Sequence, residues 1–164
     1  MDTSKKVVSL EELLVIIEVF KGQGKKIVTT NGAFDILHIG QKRMLEQSKF
    51  LGDVLIVGVN SDSSVKEYKS DLRPIIPEAQ RAEIIAALAC VDYVTIFNEP
   101  DPVNLLASIK PAIHTKGGDY DSETLIETAT VRKNGGRVVI VPGRIQSTTN
   151  IIDRIAKAYG GGSD

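Results

Sequence analysis

Short runs rich in β-branched residues alternate with amphipathic, helix-like segments along almost the whole chain. The runs predicted to be strands are 26–30, 54–59, 93–97, 112–115 and 137–141. The segments predicted to be helices are 38–50, 77–89, 102–109, 124–133 and 147–159. This alternation predicts an α/β fold: a Rossmann-like, doubly wound parallel sheet of five strands with helices on both faces. A ligand is expected at the carboxyl ends of the strands.

A further helix is predicted ahead of the sheet, at 9–22. Ser9 and Glu12 have the spacing of a capping box, and the apolar residues that follow recur at helical intervals. The 164 residues fit one domain, predicted to span 1–159, and the glycine-rich stretch 160–164 is predicted to be a flexible tail.

The composition excludes several classes of partner. The 20 basic and 21 acidic residues leave a net charge of −1, so nothing draws the whole molecule toward nucleic acid or an anionic membrane. The single Cys90 lies in an apolar run and has no cysteine to pair with, so it is expected to be a core residue. No apolar run reaches the roughly 20 residues of a membrane span, and a cytoplasmic location is expected.

Glycine and polar residues cluster where the first predicted strand gives way to a helix. Gly32 lets the backbone approach a ligand, and the helix start offers unpaired N–H groups to an anion. His38 and Gln41 lie three residues apart, so both side chains project from the same helix face. The segment is therefore predicted to be a phosphate-binding turn.

Other polar blocks follow other predicted strands. Residues 60–62 come after the second strand, 116–120 after the fourth and 147–149 after the fifth. Because parallel strands end at the same edge of a sheet, these blocks and the turn are expected to share one site.

The turn also resembles a known signature. Its sequence, Gly32-Ala33-Phe34-Asp35-Ile36-Leu37-His38-Ile39-Gly40-Gln41, is similar to the Gly-x-Phe-Asp-x-x-His-x-Gly-His motif of the cytidylyltransferase-like nucleotidyltransferases. Further blocks occur in the matching order: Asn60-Ser61-Asp62, Arg73-Pro74, Gln80-Arg81, Lys116-Gly117-Gly118-Asp119-Tyr120 and Ser147-Thr148-Thr149-Asn150-Ile151-Ile152. Together they most resemble the adenylyltransferases of ADP-heptose synthesis, either free-standing or as the C-terminal domain of a bifunctional kinase/adenylyltransferase.

The resemblance implies an enzyme that transfers AMP from ATP to heptose 1-phosphate, giving ADP-heptose and pyrophosphate for lipopolysaccharide precursors. It implies Mg²⁺, held mainly by the triphosphate, with Asp35 as a carboxylate that could help and no dedicated metal cage. It also implies a homodimer.

The resemblance assigns roles to individual residues. The implied catalytic residues are His38, Gln41, Lys42 and Arg81. The residues implied to bind the acceptor phosphate are Lys66, Lys69 and Arg73. The residues implied to bind the nucleotide are Asn31, Gly32, Ala33, Phe34, Asp35, His38, Gly40, Gln41, Lys116, Gly117, Asp119, Arg144, Ser147, Thr148 and Thr149. Among these, Lys116 is expected near phosphate and Asp119 near the ribose or base, while Asp35 is expected to order its turn by accepting backbone hydrogen bonds.

Gln41 departs from the signature, which has a second histidine there. An amide donates a hydrogen bond without charge, a difference of about 1–2 kcal/mol, or about ten- to thirty-fold in rate. An engineered change, compensation by Lys42 or Arg43, and a nucleotide-binding variant with weak turnover all fit this observation. A CTP-dependent cytidylyltransferase acting on an alcohol phosphate such as glycerol 3-phosphate is the alternative activity. A dinucleotide-binding oxidoreductase is disfavoured because Gly-x-Gly-x-x-Gly is missing after the first strand.

Overall fold

The computed structural model describes residues 2–142 and 147–160. Its strands are β1 Ile27–Gly32, β2 Val54–Asn60, β3 Tyr93–Phe97, β4 Ile113–Gly117 and β5 Arg137–Val141. They form a single parallel sheet in the order β3-β2-β1-β4-β5. The chain leaves β1 toward β2 on one side and returns to β4 on the other, so the strand order reverses between β1 and β4. The predicted doubly wound sheet is confirmed, and its ligand crevice is expected at this reversal.

The helices lie close to their predicted positions. They are α1 Leu10–Gly22, α2 Ile39–Lys49, α3 Asp62–Tyr68, α4 Glu78–Ala86, α5 Val103–Ile109, α6 Thr128–Lys133 and α7 Thr148–Tyr159, with short 3₁₀ segments at Thr3–Lys6 and Ser122–Thr124. The capping box predicted for α1 is present, since Ser9 accepts from Glu12 N and Glu12 accepts from Ser9 N. None of the helices in these described ranges has the length and apolar character to cross a bilayer.

The largest differences from the predictions concern three helices. Helix α3 was not predicted, because among its seven residues Val65 is the one buried apolar side chain. The predicted helix 124–133 is divided, with α6 starting only at Thr128, and α4 ends at Ala86 instead of 89. These are short segments in which apolar spacing carries little information.

Helices pack on both faces of the sheet. Alternate residues of β2 point to opposite faces: Leu55 and Val57 pack with α2 and α4, while Ile56 packs with α1 and α5. In α1, Leu13 and Ile17 are fully buried in the core on the face of the sheet covered by α1 and α5. Helix α1 therefore covers the sheet. Cys90 is a half-buried free thiol at the edge of the core between the sheet, α2 and α4.

Polar contacts hold the C-terminal end of α2 against the strands at the reversal. Ser48 of α2 and Thr115 of β4 share a buried hydrogen bond between their hydroxyls at 2.8 Å. Thr30 of β1 donates from its hydroxyl to the carbonyl oxygen of Thr115 at 2.9 Å. These contacts tie β1, β4 and α2 together directly below the predicted site.

Candidate functional site

A cavity of about 480 Å³ opens at the carboxyl ends of β1 and β4, next to the starts of α2 and α7. Fifteen of the predicted site residues line it: Asn31, Gly32, Ala33, Phe34, Asp35, His38, Gly40, Gln41, Lys69, Arg73, Lys116, Gly117, Ser147, Thr148 and Thr149. The polar blocks at the ends of the strands thus come together as expected.

Other predicted residues lie away from this cavity. Lys42 pairs with Glu46 at 2.5 Å along the partly exposed side of α2. Lys66 and Asp119 are exposed to solvent, and neither lines the cavity. Arg144 lies outside the described residues.

The turn after β1 is held in an uncommon backbone conformation. Phe34 has a φ of 47°, in the left-handed region that costs a non-glycine residue about 1–3 kcal/mol. Its ring is buried against Gly32, where an added Cβ would lie 3.3 Å from Phe34 Cε2. Gly32 therefore allows the Phe34 ring to pack under the turn.

His38 and Gln41 form a reciprocal cap at the start of α2. The backbone N–H of Gln41 donates to His38 Nδ1 at 3.4 Å, and the backbone N–H of His38 donates to Gln41 Oε1 at 3.2 Å. Since Nδ1 accepts, the network assigns the imidazole proton to Nε2. Burial lowers the pKa of His38 below its ordinary value, so the ring is neutral at pH 7. The pair lines the cavity with two kinds of uncharged donor, an imidazole N–H and an amide NH₂.

Asp35 orders a distant segment as well as its own turn. The buried carboxylate accepts from the backbone N–H groups of Ile75 and Ile76, each at 2.9 Å, and from Arg73 Nε at 2.5 Å. Burial acts to raise the pKa of Asp35, but these hydrogen bonds and the guanidinium outweigh it and lower the pKa. The expected backbone hydrogen bonds are present, although they come from the far side of the cavity. Because both oxygens are occupied, the structure argues against Asp35 as a metal ligand.

Arg81, which was predicted to be catalytic, makes its contacts inside the protein. Its side chain is fully buried and does not line the cavity. The guanidinium donates to the carbonyl oxygens of Ile76 and Asn60, each at 2.8 Å, and also to that of Ala33. It pairs with Asp62 at 2.8 Å. Arg81 therefore joins the turn after β1 to the end of β2 and the start of α4.

A buried ion pair borders the cavity on its β4 side. Lys116 Nζ donates to Glu127 Oε1 at 3.2 Å and to Asn31 Oδ1 at 3.5 Å. His114 Nε2 lies 3.7 Å from the same Glu127 oxygen, and His114 Nδ1 shares a hydrogen bond with the Thr29 hydroxyl at 2.9 Å.

The pKa shifts in this group favour one charged pair and one neutral ring. Burial acts to raise the pKa of Glu127, but His114 and Lys116 outweigh it and lower the pKa to about 2. Burial lowers the pKa of His114 despite the carboxylate beside it. Glu127 and His114 were not predicted as site residues, because each belongs to a different element and neither lies in a polar block.

The start of α7 provides hydroxyls and backbone N–H groups. Ser147 caps the helix by accepting from the N–H of Asn150 at 3.2 Å. Thr148 donates from its hydroxyl to the Ile36 carbonyl at 3.3 Å, which links α7 to the turn after β1. The first N–H groups of the helix remain available to an anion in the cavity.

Further lining residues had no individual role assigned from the sequence. Asn60, Gly118 and Tyr120 belong to the polar blocks that were expected to share the site. The lining residues outside the predicted blocks are Met44, Tyr68, Pro100, Asp101, Pro102, Ile126, Glu127 and Val141. Asp101 follows the carboxyl end of β3, so the strand-end rule that located the other blocks also applies to it.

Comparison with known proteins agrees with this geometry. The family model described as cytidylyltransferase-like matches residues 29–154. The bifunctional protein HldE of Geobacter metallireducens is 51% identical over 162 residues, covering 97% of this chain and 33% of that protein. HldE of Helicobacter acinonychis is 43% identical over 157 residues, covering 96% and 33%. The chain spans about a third of the length of these curated relatives.

Solved structures show the same fold. The lipopolysaccharide core biosynthesis protein of Thermoplasma volcanium is 33% identical with a TM-score of 0.62, covering 76% of this chain and 100% of that one. Pantoate-beta-alanine ligase of Francisella tularensis, solved with beta-gamma ATP and beta-alanine, has a TM-score of 0.62 at 16% identity, covering 94% of this chain and 77% of that one. At that identity the likeness to the ligase concerns the fold alone.

Proposed function

This chain belongs to the cytidylyltransferase-like family, and from that premise we propose that it is a nucleotidyltransferase that transfers AMP from ATP to heptose 1-phosphate. The products are ADP-heptose and pyrophosphate. The identity to HldE proteins and to a lipopolysaccharide core biosynthesis protein supports this substrate class.

One observation carries the proposal: the cavity brings the helix starts of α2 and α7 together with the His38–Gln41 pair. Helix N-termini bind phosphates through backbone N–H groups and a favourable dipole. Two such termini at one crevice suit a ligand with several phosphates better than they suit a single anion.

In the proposed reaction the acceptor phosphate attacks the α-phosphorus of ATP, and the bond to pyrophosphate breaks. The acceptor is already ionised near neutral pH, since the second pKa of a phosphate monoester is about 6, so no protein base is needed. His38 Nε2–H and the Gln41 amide donate to phosphate oxygens as charge builds on them. The protein acts by holding the reactants in line.

We propose that Mg²⁺ binds mainly through the triphosphate. Within the described residues no three carboxylate, histidine or cysteine side chains group together as a metal cage, and Asp35 is occupied by Arg73, Ile75 and Ile76. When bound, the ion would neutralise part of the triphosphate charge.

The test is pyrophosphate release with Mg²⁺, ATP or CTP, and a panel of heptose 1-phosphates and alcohol phosphates. Release with ATP and heptose 1-phosphate is expected. CTP dependence with glycerol 3-phosphate would instead establish the alternative activity, that of a cytidylyltransferase. The description of the matching family, cytidylyltransferase-like, is compatible with that activity as well. Activity that appears only in Gln41→His would identify Gln41 as the cause of weak turnover.

We also propose a cytoplasmic homodimer. Val15 and Val19 on the outer face of α1, and Ile155 and Tyr159 on α7, are exposed apolar side chains that a second subunit could cover. Light scattering of the purified protein should give twice the mass of one chain, and a monomer mass would contradict the dimer.

A further inference from the structure

Lys116 reaches the cavity wall with its charge already paired. Two of the three donors of its ammonium are directed at protein oxygens, on Glu127 and on Asn31. Glu127 is 2% exposed and ionised at neutral pH, while the His114 ring behind it is neutral. Lys116, Glu127 and His114 together therefore carry no net charge.

Four apolar or aromatic residues of the cavity lining lie close to this pair: Met44, Tyr120, Ile126 and Val141. A Cβ on Gly117 would lie 2.9 Å from Met44 Cγ, and one on Gly118 would lie 3.1 Å from Tyr120 Cε2. Met44 and Tyr120 thus pack directly against the backbone at the end of β4. Apolar walls with a few oriented polar groups are typical of pockets for flat organic ligands. Phosphates favour unpaired backbone N–H groups, which this cavity has at the starts of α2 and α7.

Resting on the nucleotide binding proposed above, we infer that Lys116 contacts the nucleoside part of the nucleotide and not its phosphates, and that Glu127 is the residue that positions it there. Glu127 cancels the charge of the ammonium while leaving one N–H free to donate to a ribose hydroxyl or a ring nitrogen. His114 Nε2 lies 3.7 Å from the Glu127 oxygen that accepts from Lys116, so the His114 ring packs beside the pair. This reverses the expectation from the sequence that Lys116 lies near phosphate.

The experiment compares the binding of adenosine, AMP and Mg²⁺-ATP to the full chain by calorimetry. Lys116→Met should weaken all three by a similar factor of about ten, the loss of one hydrogen bond from a charged donor. In Lys116→Met, the ratio of ATP affinity to adenosine affinity should stay within about twofold of its value in the unmodified protein. Glu127→Gln should raise that ratio by about fivefold or more, because the Lys116 charge is then uncancelled. Lys133→Met is the matched control, since Lys133 lies exposed on α6 and away from the cavity. It should change none of the affinities.

Two results would overturn the inference. In the first, Lys116→Met weakens ATP about tenfold more than adenosine, which would place the ammonium on the phosphates. In the second, Lys116→Met changes no affinity. A partly unfolded Glu127→Gln sample does not disturb the ratio, since both ligands report on the same folded fraction. If the unmodified protein binds neither ATP nor CTP, the proposed function itself fails, which is distinct from binding with the wrong Lys116→Met pattern.

Discussion

Gln41 has two roles in one side chain, and they can be separated by substitution. Its amide oxygen accepts from the backbone N–H of His38 in the cap of α2, while its amide nitrogen is a donor at the cavity wall. Glutamate can form the same cap, because a carboxylate oxygen also accepts from the backbone. Glutamate has no donor, however, and would add a negative charge beside the phosphates.

We therefore expect Gln41→Glu to keep the stability of the protein and to lose activity. The free energy of unfolding should change by less than about 0.5 kcal/mol, because the cap survives and acidic residues suit a helix start. The value of kcat/KM should fall by about a hundredfold or more, equivalent to about 3 kcal/mol of transition-state stabilisation. Urea unfolding and steady-state kinetics on one preparation measure both. Gln41→Ala is the control, losing the cap at a cost of about 1 kcal/mol. Full activity in Gln41→Glu would reduce Gln41 to a helix cap.

His38 and His114 make stability depend on pH. Burial lowers both pKa values from the ordinary 6.5, so the unfolded chain binds protons that the folded chain does not. Stability should therefore fall as the pH drops below about 6.5. Glu127 acts in a separate window, since its pKa falls from 4.5 to about 2 and its contribution is lost only at lower pH.

The free energy of unfolding should decrease between pH 7.5 and pH 5.5, and it should decrease less in His114→Gln. Urea titrations at both pH values give the two differences. The comparison uses the change with pH, so a general loss of stability in His114→Gln does not affect it. Equal changes in the two proteins would show that His114 does not titrate differently on folding.

At the scale of elements, Arg81 is the junction between β2, α4 and the turn after β1. Its fully buried guanidinium extends from α4 and donates to the carbonyl oxygens of Asn60 in β2, Ala33 in the turn and Ile76 just before α4. Removing it leaves buried acceptors unpaired, at about 1–3 kcal/mol for each group.

Arg81→Met should therefore destabilise the protein by about 3 kcal/mol or more, because three carbonyl oxygens lose their donor at once. Arg132→Met is the matched control, because Arg132 makes an exposed ion pair with Glu123 and should cost less than about 1 kcal/mol. Thermal or urea unfolding of both variants measures the contrast. Similar small losses would show that the Arg81 contacts contribute little.

The sequence predicted elements wherever one segment contains the whole signal. The sheet strands have continuous β-branched runs, and Ser9 and Glu12 form a local capping box. The role of Arg81 could not be predicted, because its acceptors belong to three separate segments. The ion pair between Glu127 and Lys116 could not be predicted for the same reason, because the two residues lie in separate segments, at the start of α6 and in β4. Helix α3 was missed since its seven residues bury almost no apolar surface.

At the scale of the whole molecule, the charges on the cavity wall cancel within the described residues. Lys69, Arg73 and Lys116 are basic, while Asp35, Asp101 and Glu127 are acidic. His38 adds no charge at pH 7, since burial lowers its pKa. A wall with no net charge attracts a triphosphate only weakly, so we expect a divalent cation to supply the missing positive charge.

Chelation of Mg²⁺ should therefore weaken ATP binding by about tenfold or more and leave adenosine binding unchanged. The reason is that adenosine carries no phosphate whose charge needs to be neutralised. Calorimetry with and without EDTA measures both ligands, and adenosine is the internal control for effects of the chelator on the protein. Calcium in place of magnesium should restore ATP binding in part, because it also coordinates phosphate oxygens but with looser geometry. ATP affinity that is unaffected by EDTA would show that the protein neutralises the triphosphate without a divalent cation.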